Sequence, residues 1–281
     1  MKAYYEMVKS NHMTFGRMET VDFPAHFHSA VELIYILSGR ERVCIDGKTA
    51  ELGAGSLAVS YPYQVHEYTK LEDGLKFFFI IQPQCFSTGE SMFASTIPEN
   101  PFYHYEGGER EYLDAILQPL LLSMGSKKRC TISIDSHSYY SPLITALLMY
   151  HLEYVGTEQL THRPIEAELI RRIMCYLDVH YDDPSFNTYD AAQDIGISTQ
   201  YLSSLIKKNT GYTFKEHLHN LRINKARLLL RDTSLSISEV AMESGFLSIR
   251  TFNRVFIERS GMTPRDWRTT DHPHKWHNPL S

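Results

Sequence analysis

The last third of the chain repeats itself. Ala192 and Gly196 lie 49 positions before Ala241 and Gly245, whereas Leu202, Ile206 and Gly211 lie 50 before Phe252, Phe256 and Gly261. One extra residue in the second turn accounts for the difference. In the first copy Thr188 is read as the cap of a helix through Asp194, Gly196 as a left-handed turn, and Ser198 as the cap of a second helix to about Lys208. In the second copy Ser236 and Glu239 form a capping-box pattern, Gly245 supplies the turn, and Ser248 caps a helix to about Arg259. The expected buried sets are equivalent: Ile195, Ile197, Leu202, Leu205 and Ile206 in one, Val240, Phe246, Phe252, Val255 and Phe256 in the other. A chain with this pattern is bound to form two helix-turn-helix units.

The opposite face of each second helix is polar. The first carries Thr199, Gln200, Ser203, Ser204 and Lys207, and the second Arg250, Thr251, Asn253 and Arg254. These side chains suit the edges of bases in a DNA major groove, where arginine reads guanine, glutamine reads adenine, and serine or threonine discriminates weakly. The second unit is therefore expected to read bases more strongly. Between the copies, Phe214 to Arg231 reads as a helix about 27 Å long at 1.5 Å per residue. Units held about 34 Å apart would enter successive major grooves of one duplex. The formal charge of the whole chain is -5, but residues 186–268 hold 12 Lys/Arg against 8 Asp/Glu, about +4, leaving about -9 elsewhere. The charge asymmetry fits a nucleic-acid partner for this part of the chain.

Asn224-Lys225-Ala226-Arg227 with Leu229-Leu230, then Ile237, Glu239-Val240-Ala241, Gly245-Phe246, Phe252, Arg254, Phe256 and Gly261-Met262-Thr263-Pro264 resemble the signature of AraC-type transcription regulators. The resemblance covers about residues 165–268. It implies a seven-helix DNA-binding domain in which Gln200, Ser203 and Ser204, and Arg250, Thr251 and Arg254, face bases. Two positions depart from the pattern. Trp267 stands where tyrosine is commoner, and Ser203 with Ser204 are short for direct readout.

Ahead of this region, β-rich runs (31–37, 42–45, 56–60, 75–81) alternate with turn signals at Ser38-Gly39, Asp46-Gly47 and Gly53-Ala54-Gly55. They predict a small antiparallel sandwich or barrel. Leu113, Ile116, Leu117, Leu120, Leu121 and Met124, then Leu143, Ile144, Leu147, Leu148 and Leu152, recur at helical spacing and predict two helices packed on the sheet or shared with a partner subunit. The fold class expected is α+β: a cupin-like β-barrel with two packed helices, then an all-α DNA-binding domain with two helix-turn-helix motifs. The boundaries expected are 1–155 for the sensing and dimerising domain, 156–164 for a linker, 165–270 for the DNA-binding domain and 271–281 for a tail. Cys44, Cys85, Cys130 and Cys175 are too scattered for a disulfide framework or zinc knuckle. With no leader-like start and no long apolar run, the chain is expected in the cytoplasm without a membrane partner.

His26, His28 and Glu32, with Gly39 seven positions later and His66 beyond, resemble the metal motif of cupins. Two histidines at i and i+2 share one face of a strand, and imidazoles with a carboxylate suit Mn, Fe, Ni or Zn. The second half of the motif is incomplete, since Pro62-Tyr63-Gln64-Val65-His66 lacks the glycine usual between proline and histidine. The first expectation is therefore a small-molecule pocket without metal or other cofactor. His26, His28, Glu32, Tyr35 and His66 are its expected contacts, and a sugar is the favoured effector, with Tyr35, Tyr61, Tyr63 and Tyr68 available to stack on its ring. The alternative is a metal-binding sensor or enzyme built on His26, His28, Glu32 and His66. The remaining partners expected are double-stranded DNA, RNA polymerase and a second copy of the chain, and no catalytic residues are expected.

Overall fold

The computed structural model describes residues 3–5, 12–86, 93, 96–124, 129–133, 140–159 and 165–270. It divides into two compact units, Val8–Arg163 and Pro164–Ser281 together with Met1–Met7. The short strand β1 (Tyr4–Tyr5) falls in the second of these, where the Ala3 N–H donates to the Thr210 carbonyl at 3.0 Å. Within the stretch expected as a linker, Thr157–Gln159 forms a strand; its remaining positions 160–164 and the tail 271–281 lie outside the described residues.

The first unit is an antiparallel sheet with two packed helices. Its long strands β4 (Val31–Ile45) and β7 (His66–Ile81) pair from Val31 opposite Ile81 to Ile45 opposite His66. β5 (Lys48–Gly53) and β6 (Ser56–Ser60) pair with β4, whereas β2 (His12–Glu19) and β3 (Phe23–Phe27) pair with β7. Two short strands follow, β8 (Thr96–Pro98) and β9 (Phe102–His104), the latter pairing with β6. β10 (Arg129–Ser133) pairs with β2, and β11 (Thr157–Gln159) pairs with β8. Asp46-Gly47 forms the expected hairpin turn, with φ 46° and 83° between Ile45 and Lys48.

Ser38-Gly39 is not a chain reversal, contrary to expectation. β4 runs through it, and the register slips between Ile36 and Arg40. Gly39 adopts φ 75°, and a Cβ there would lie 2.6 Å from the Asp73 carbonyl oxygen; one on Gly74 would collide with the Ser38 carbonyl. The two glycines let the long strands cross closely at an irregularity that re-aims them. Turn-forming residues in sequence thus mark a bulge here.

Both faces of the sheet are buried, so strand parity decides where each side chain goes. Val31, Leu33 and Tyr35 of β4, with Phe77, Phe79 and Ile81 of β7, share one core with Leu113, Leu117 and Leu120 of α1 (Gly107–Met124) and Ile144, Leu147, Leu148 and Leu152 of α2 (Tyr140–Val155). Ile34, Ile36, Val43 and Ile45 turn the other way, into a second core with Tyr68, Phe78 and Ile80. The two amphipathic helices therefore pack on their own sheet. No helix among the described residues is long and apolar enough to cross a membrane. Among the described residues Cys44, Cys85 and Cys175 are in no disulfide, and burial pushes the pKa of the Cys85 thiol up to about 11.

The second unit is helical: α3 (Ile165–His180), α4 (Thr188–Ile195), α5 (Thr199–Thr210), α6 (Phe214–Asp232), α7 (Ile237–Glu243), α8 (Ile249–Ser260) and α9 (Pro264–Thr269). The expected duplication is present, with α4-turn-α5 and α7-turn-α8 joined by α6. Ser198, Ser236 and Ser248 cap as expected, and Gly196 and Gly245 take φ 79° and 85°. The first cap is shifted by one residue. Asn187, not Thr188, accepts from Tyr189 N and Asp190 N, and the Asp190 carboxylate returns the bond to Asn187 N. Asparagine satisfies two orphan amides there, which leaves Thr188 as the first helical residue.

His217 is buried in α6, its Nε2 2.8 Å from Thr210 Oγ1. Burial, the larger effect, and the nearby Arg259 charge hold its pKa down to about 4, against the opposing pull of Glu216. A histidine whose folded pKa is depressed supports folding above the unfolded value of about 6.5 and withdraws that support as pH falls toward the folded value. The full-length protein should therefore lose on the order of 2 kcal/mol through this residue between about pH 6.5 and pH 4. His217→Gln should flatten that part of the stability profile in urea titrations followed by tryptophan fluorescence; an unchanged slope would remove His217 as the cause.

Candidate functional site

The polar faces of the two second helices survive folding as surface. On α5, Gln200, Ser203, Ser204 and Lys207 are exposed and Thr199 is half-buried, while Leu202, Leu205 and Ile206 of the same helix are buried. On α8, Arg250 and Arg254 are exposed and Thr251 and Asn253 half-buried, over a core of Phe252, Val255 and Phe256. The spacing of the apolar residues thus forces the polar set outward. The two faces differ in reach. Ser203 and Ser204 stop one heavy atom beyond Cβ, whereas the Arg254 guanidinium extends to a weak ion pair with Glu258 one turn on, at 3.3 Å. An exposed pair of that kind is worth little and is readily exchanged for a stronger acceptor. Thr251 Oγ1 accepts from Ser248 Oγ at 3.0 Å, so its hydroxyl also serves the helix cap.

Two arginines, Arg222 buried and Arg227 half-buried, brace these faces and were not legible as such in the sequence. Arg227 of α6 donates to the last-turn carbonyl of Arg259 at 2.7 Å and to Ser260 Oγ at 3.0 and 3.2 Å, closing the C-terminus of α8. Its guanidinium lies 5.0 Å from the Trp267 ring, so the departure at Trp267 puts a larger aromatic into the same core. Arg222 of α6 reaches the opposite way, to the carbonyls of Tyr181 at 2.7 Å and Asp183 at 2.8 Å. Gly245 packs on the same spot: a Cβ there would lie 2.7 Å from Tyr181 O and 2.9 Å from Arg222 Nε. α6 thereby ties the loop before the first helix-turn-helix to the turn of the second. Single-sequence pattern showed these residues only as charges on a helix, since their acceptors lie 32 to 41 positions away.

In the first unit, four of the five expected ligand residues converge. His26 lies opposite His66 across the β3–β7 ladder, with ring centroids 4.1 Å apart. His28 follows just after the end of β3, and Glu32 comes from the start of β4; one ligand atom from each of the four lies within 4.8 Å of every other. All four are buried, none more than 6% exposed. The Tyr63 N–H donates to the His28 carbonyl at 2.8 Å and pins the loop against it. Burial holds His26 and His28 below the ordinary imidazole range. Tyr68 Oη donates to Glu32 Oε1 at 2.6 Å.

Tyr35 does not join them. It stands three residues from Glu32 on β4, on the other face, and its hydroxyl donates to Asp114 of α1 at 2.9 Å. Burial and the Asp114 carboxylate push that hydroxyl up well beyond the usual phenol range. Tyr61 likewise packs with the helix-side core, edge-on to Phe93 at 5.0 Å. Of Tyr35, Tyr61 and Tyr68, only Tyr68 lies beside the histidines, and its hydroxyl is committed to Glu32.

Comparison with known proteins bears on both units. Residues 14–152 match the model of an AraC-like ligand binding domain, and residues 191–270 match that of a helix-turn-helix domain. Among curated proteins, the uncharacterized HTH-type transcriptional regulator YfiF of Bacillus subtilis is 27% identical over 254 residues, 87% of this chain and 78% of that protein. The HTH-type transcriptional activator RhaR of Cronobacter sakazakii is 37% identical over 105 residues, 37% of each chain. The match thus spans only about a third of RhaR's length. Among solved structures, ToxT of Vibrio cholerae with a bound unsaturated fatty acid aligns at TM-score 0.51 and 12% identity, over 94% of this chain and 97% of that one. A second ToxT structure gives TM-score 0.51 at 14% identity, over 92% and 98%.

Proposed function

Because the chain belongs to the AraC-type transcription regulators, with a ligand-binding domain and a helix-turn-helix domain, we propose that it reads double-stranded DNA through two unequal recognition helices. Arg250 and Arg254 of α8 supply the strong base contacts. Thr251 and Asn253 flank them, while Thr199, Gln200, Ser203, Ser204 and Lys207 of α5 chiefly position the protein. The reading rests on one observation: both helices present polar side chains outward over an apolar core, but α8 alone presents exposed arginines among these residues. A small molecule bound in the sheet domain controls this binding, by favouring one arrangement of the protein over another. The cluster of His26, His28, Glu32 and His66 is its anchor; Tyr35 is not, since it faces the helices.

The protein works in the cytoplasm, as a homodimer that engages RNA polymerase, and turns over no substrate. The test is fluorescence anisotropy with a duplex selected from a random pool by the wild-type protein. Arg254→Ala should weaken binding by about 1 to 3 kcal/mol and relax preference at one position, whereas Ser204→Ala should cost less. Binding of every variant should fall steeply with salt, through loss of counterion release. Undiminished affinity of Arg254→Ala for the selected duplex would remove α8 as the principal reader.

A further inference from the structure

The three clustered histidines, His26, His28 and His66, present a chemical conflict. His26 Nδ1 lies 3.0 Å from the Pro24 carbonyl oxygen, His28 Nδ1 3.1 Å from that of Ala30, and His66 Nδ1 2.9 Å from that of Gln64. A carbonyl oxygen only accepts, so each Nδ1 carries the proton. In a neutral ring the other nitrogen, Nε2, is then a bare lone pair. His28 Nε2 nevertheless sits 2.9 Å and His66 Nε2 3.4 Å from the same carboxylate oxygen, Glu32 Oε2. His66 Nε2 is buried and makes no hydrogen bond. Acceptors are thus aimed at an acceptor. A single extra proton would satisfy one of these two nitrogens and leave the other facing the carboxylate. A cation between them satisfies all.

We propose that His26, His28, Glu32 and His66 bind one divalent first-row transition-metal ion through the three Nε2 atoms and Glu32 Oε2. The dimensions suit such an ion. Metal bonds of about 2.1 Å put neighbouring ligand atoms about 3 Å apart and opposite ones about 4.2 Å apart, and the greatest separation here is 4.8 Å. The surroundings have the form of a metal outer shell. Backbone carbonyls orient each imidazole through its distal N–H, and Tyr68 holds the spare carboxylate oxygen. Three neutral imidazoles and one carboxylate select Mn, Fe, Co, Ni or Zn over Ca or Mg, which prefer oxygen. Four protein ligands leave positions on a six-coordinate ion for an oxygen-bearing effector. That last consequence rests on the sheet domain being the sensing unit; the metal site itself does not.

The experiment uses the full chain, stripped by chelator and dialysed against Co²⁺ and, separately, Zn²⁺. One ion per chain is expected, with visible d–d bands for Co²⁺ and a rise in melting temperature on loading. His66→Ala and the near-isosteric Glu32→Gln should weaken binding by more than the roughly 10- to 100-fold that loss of an outer-shell partner costs. Tyr35→Phe, on the opposite face, should keep one ion with an unchanged spectrum. Should a variant fold poorly, the wild-type stoichiometry and spectrum still decide. Folded wild-type protein that takes up less than a tenth of an ion per chain, or full loading of His66→Ala with the wild-type spectrum, overturns the proposal. DNA binding is measured on the same samples. Metal-free protein that still binds its selected duplex rejects the metal and leaves the regulator reading standing, and metal-loaded protein that binds no duplex does the reverse.

Discussion

Replacing Lys76 by methionine is expected to destabilise the sheet domain by about 3 to 5 kcal/mol. Lys76 Nζ donates to Glu41 Oε2 at 2.7 Å and Oε1 at 3.0 Å, and both residues are essentially inaccessible to water, at 1% and 0% exposure. The Val21 N–H donates to the same carboxylate at 2.8 Å, and the ammonium lies 4.1 Å from the Tyr68 ring centroid. Burial pulls the Lys76 pKa down while Glu41 opposes it, so the pair stands only because each charge compensates the other. Methionine fills the volume but leaves Glu41 ionised and held by one amide, or forces it to take up a proton. Methionine at both positions should cost markedly less than Lys76→Met alone, because no uncompensated charge remains. Amide hydrogen exchange along β4 and β7 reads this domain separately. A loss below about 1 kcal/mol for Lys76→Met would show that water reaches Glu41 and that the pair is not the brace described.

Arg222→Ala should cost the helical unit about 3 kcal/mol. Its guanidinium makes two charge-assisted bonds, to Tyr181 O and Asp183 O, where little water can replace it, and the turn at Gly245 packs against the same atoms. Both tryptophans of the chain, Trp267 and Trp276, come after residue 164, and Trp267 is buried in the helical core, so fluorescence during urea unfolding reads this unit. Arg222→Lys keeps the charge but cannot reach two divergent carbonyls from one nitrogen, and should recover less than half of the loss. Since α6 carries both helix-turn-helix units, Arg222→Ala should also weaken DNA binding, while leaving base preference unchanged. An altered base preference would instead place Arg222 at the DNA.

The helical unit was nearly all legible because its signals are local. Caps, left-handed glycines and the apolar spacing lie within a few residues of the structure they specify, and the slips are small: Asn187 caps in place of Thr188, and Ile197 is half-buried rather than buried. The sheet domain was legible in kind but not in detail. Asp46-Gly47 marks a true hairpin, whereas Ser38-Gly39 looks the same in sequence and becomes a bulge, because Gly74 on the partner strand lets the chains pass. Four of the five residues expected at the ligand site converge, for a related reason. Histidines two apart share a face whatever the fold, but Tyr35 could be assigned only once the face packed by α1 was known.

By itself the sequence determined two helix-turn-helix units, their outward polar faces and the inequality between them, since 3.6-residue periodicity fixes which side chains a core can hold. Tertiary structure alone decided which residues separated along the chain become neighbours. It set Glu41 against Lys76, Arg222 against Tyr181, and the Nε2 atoms of His28 and His66 against Glu32. Each pairing depends on strand register or helix packing across 30 residues or more, except His28 with Glu32, where the bend after β3 brings the two together. Register follows from the burial of whole faces at once, which no local stretch of sequence encodes.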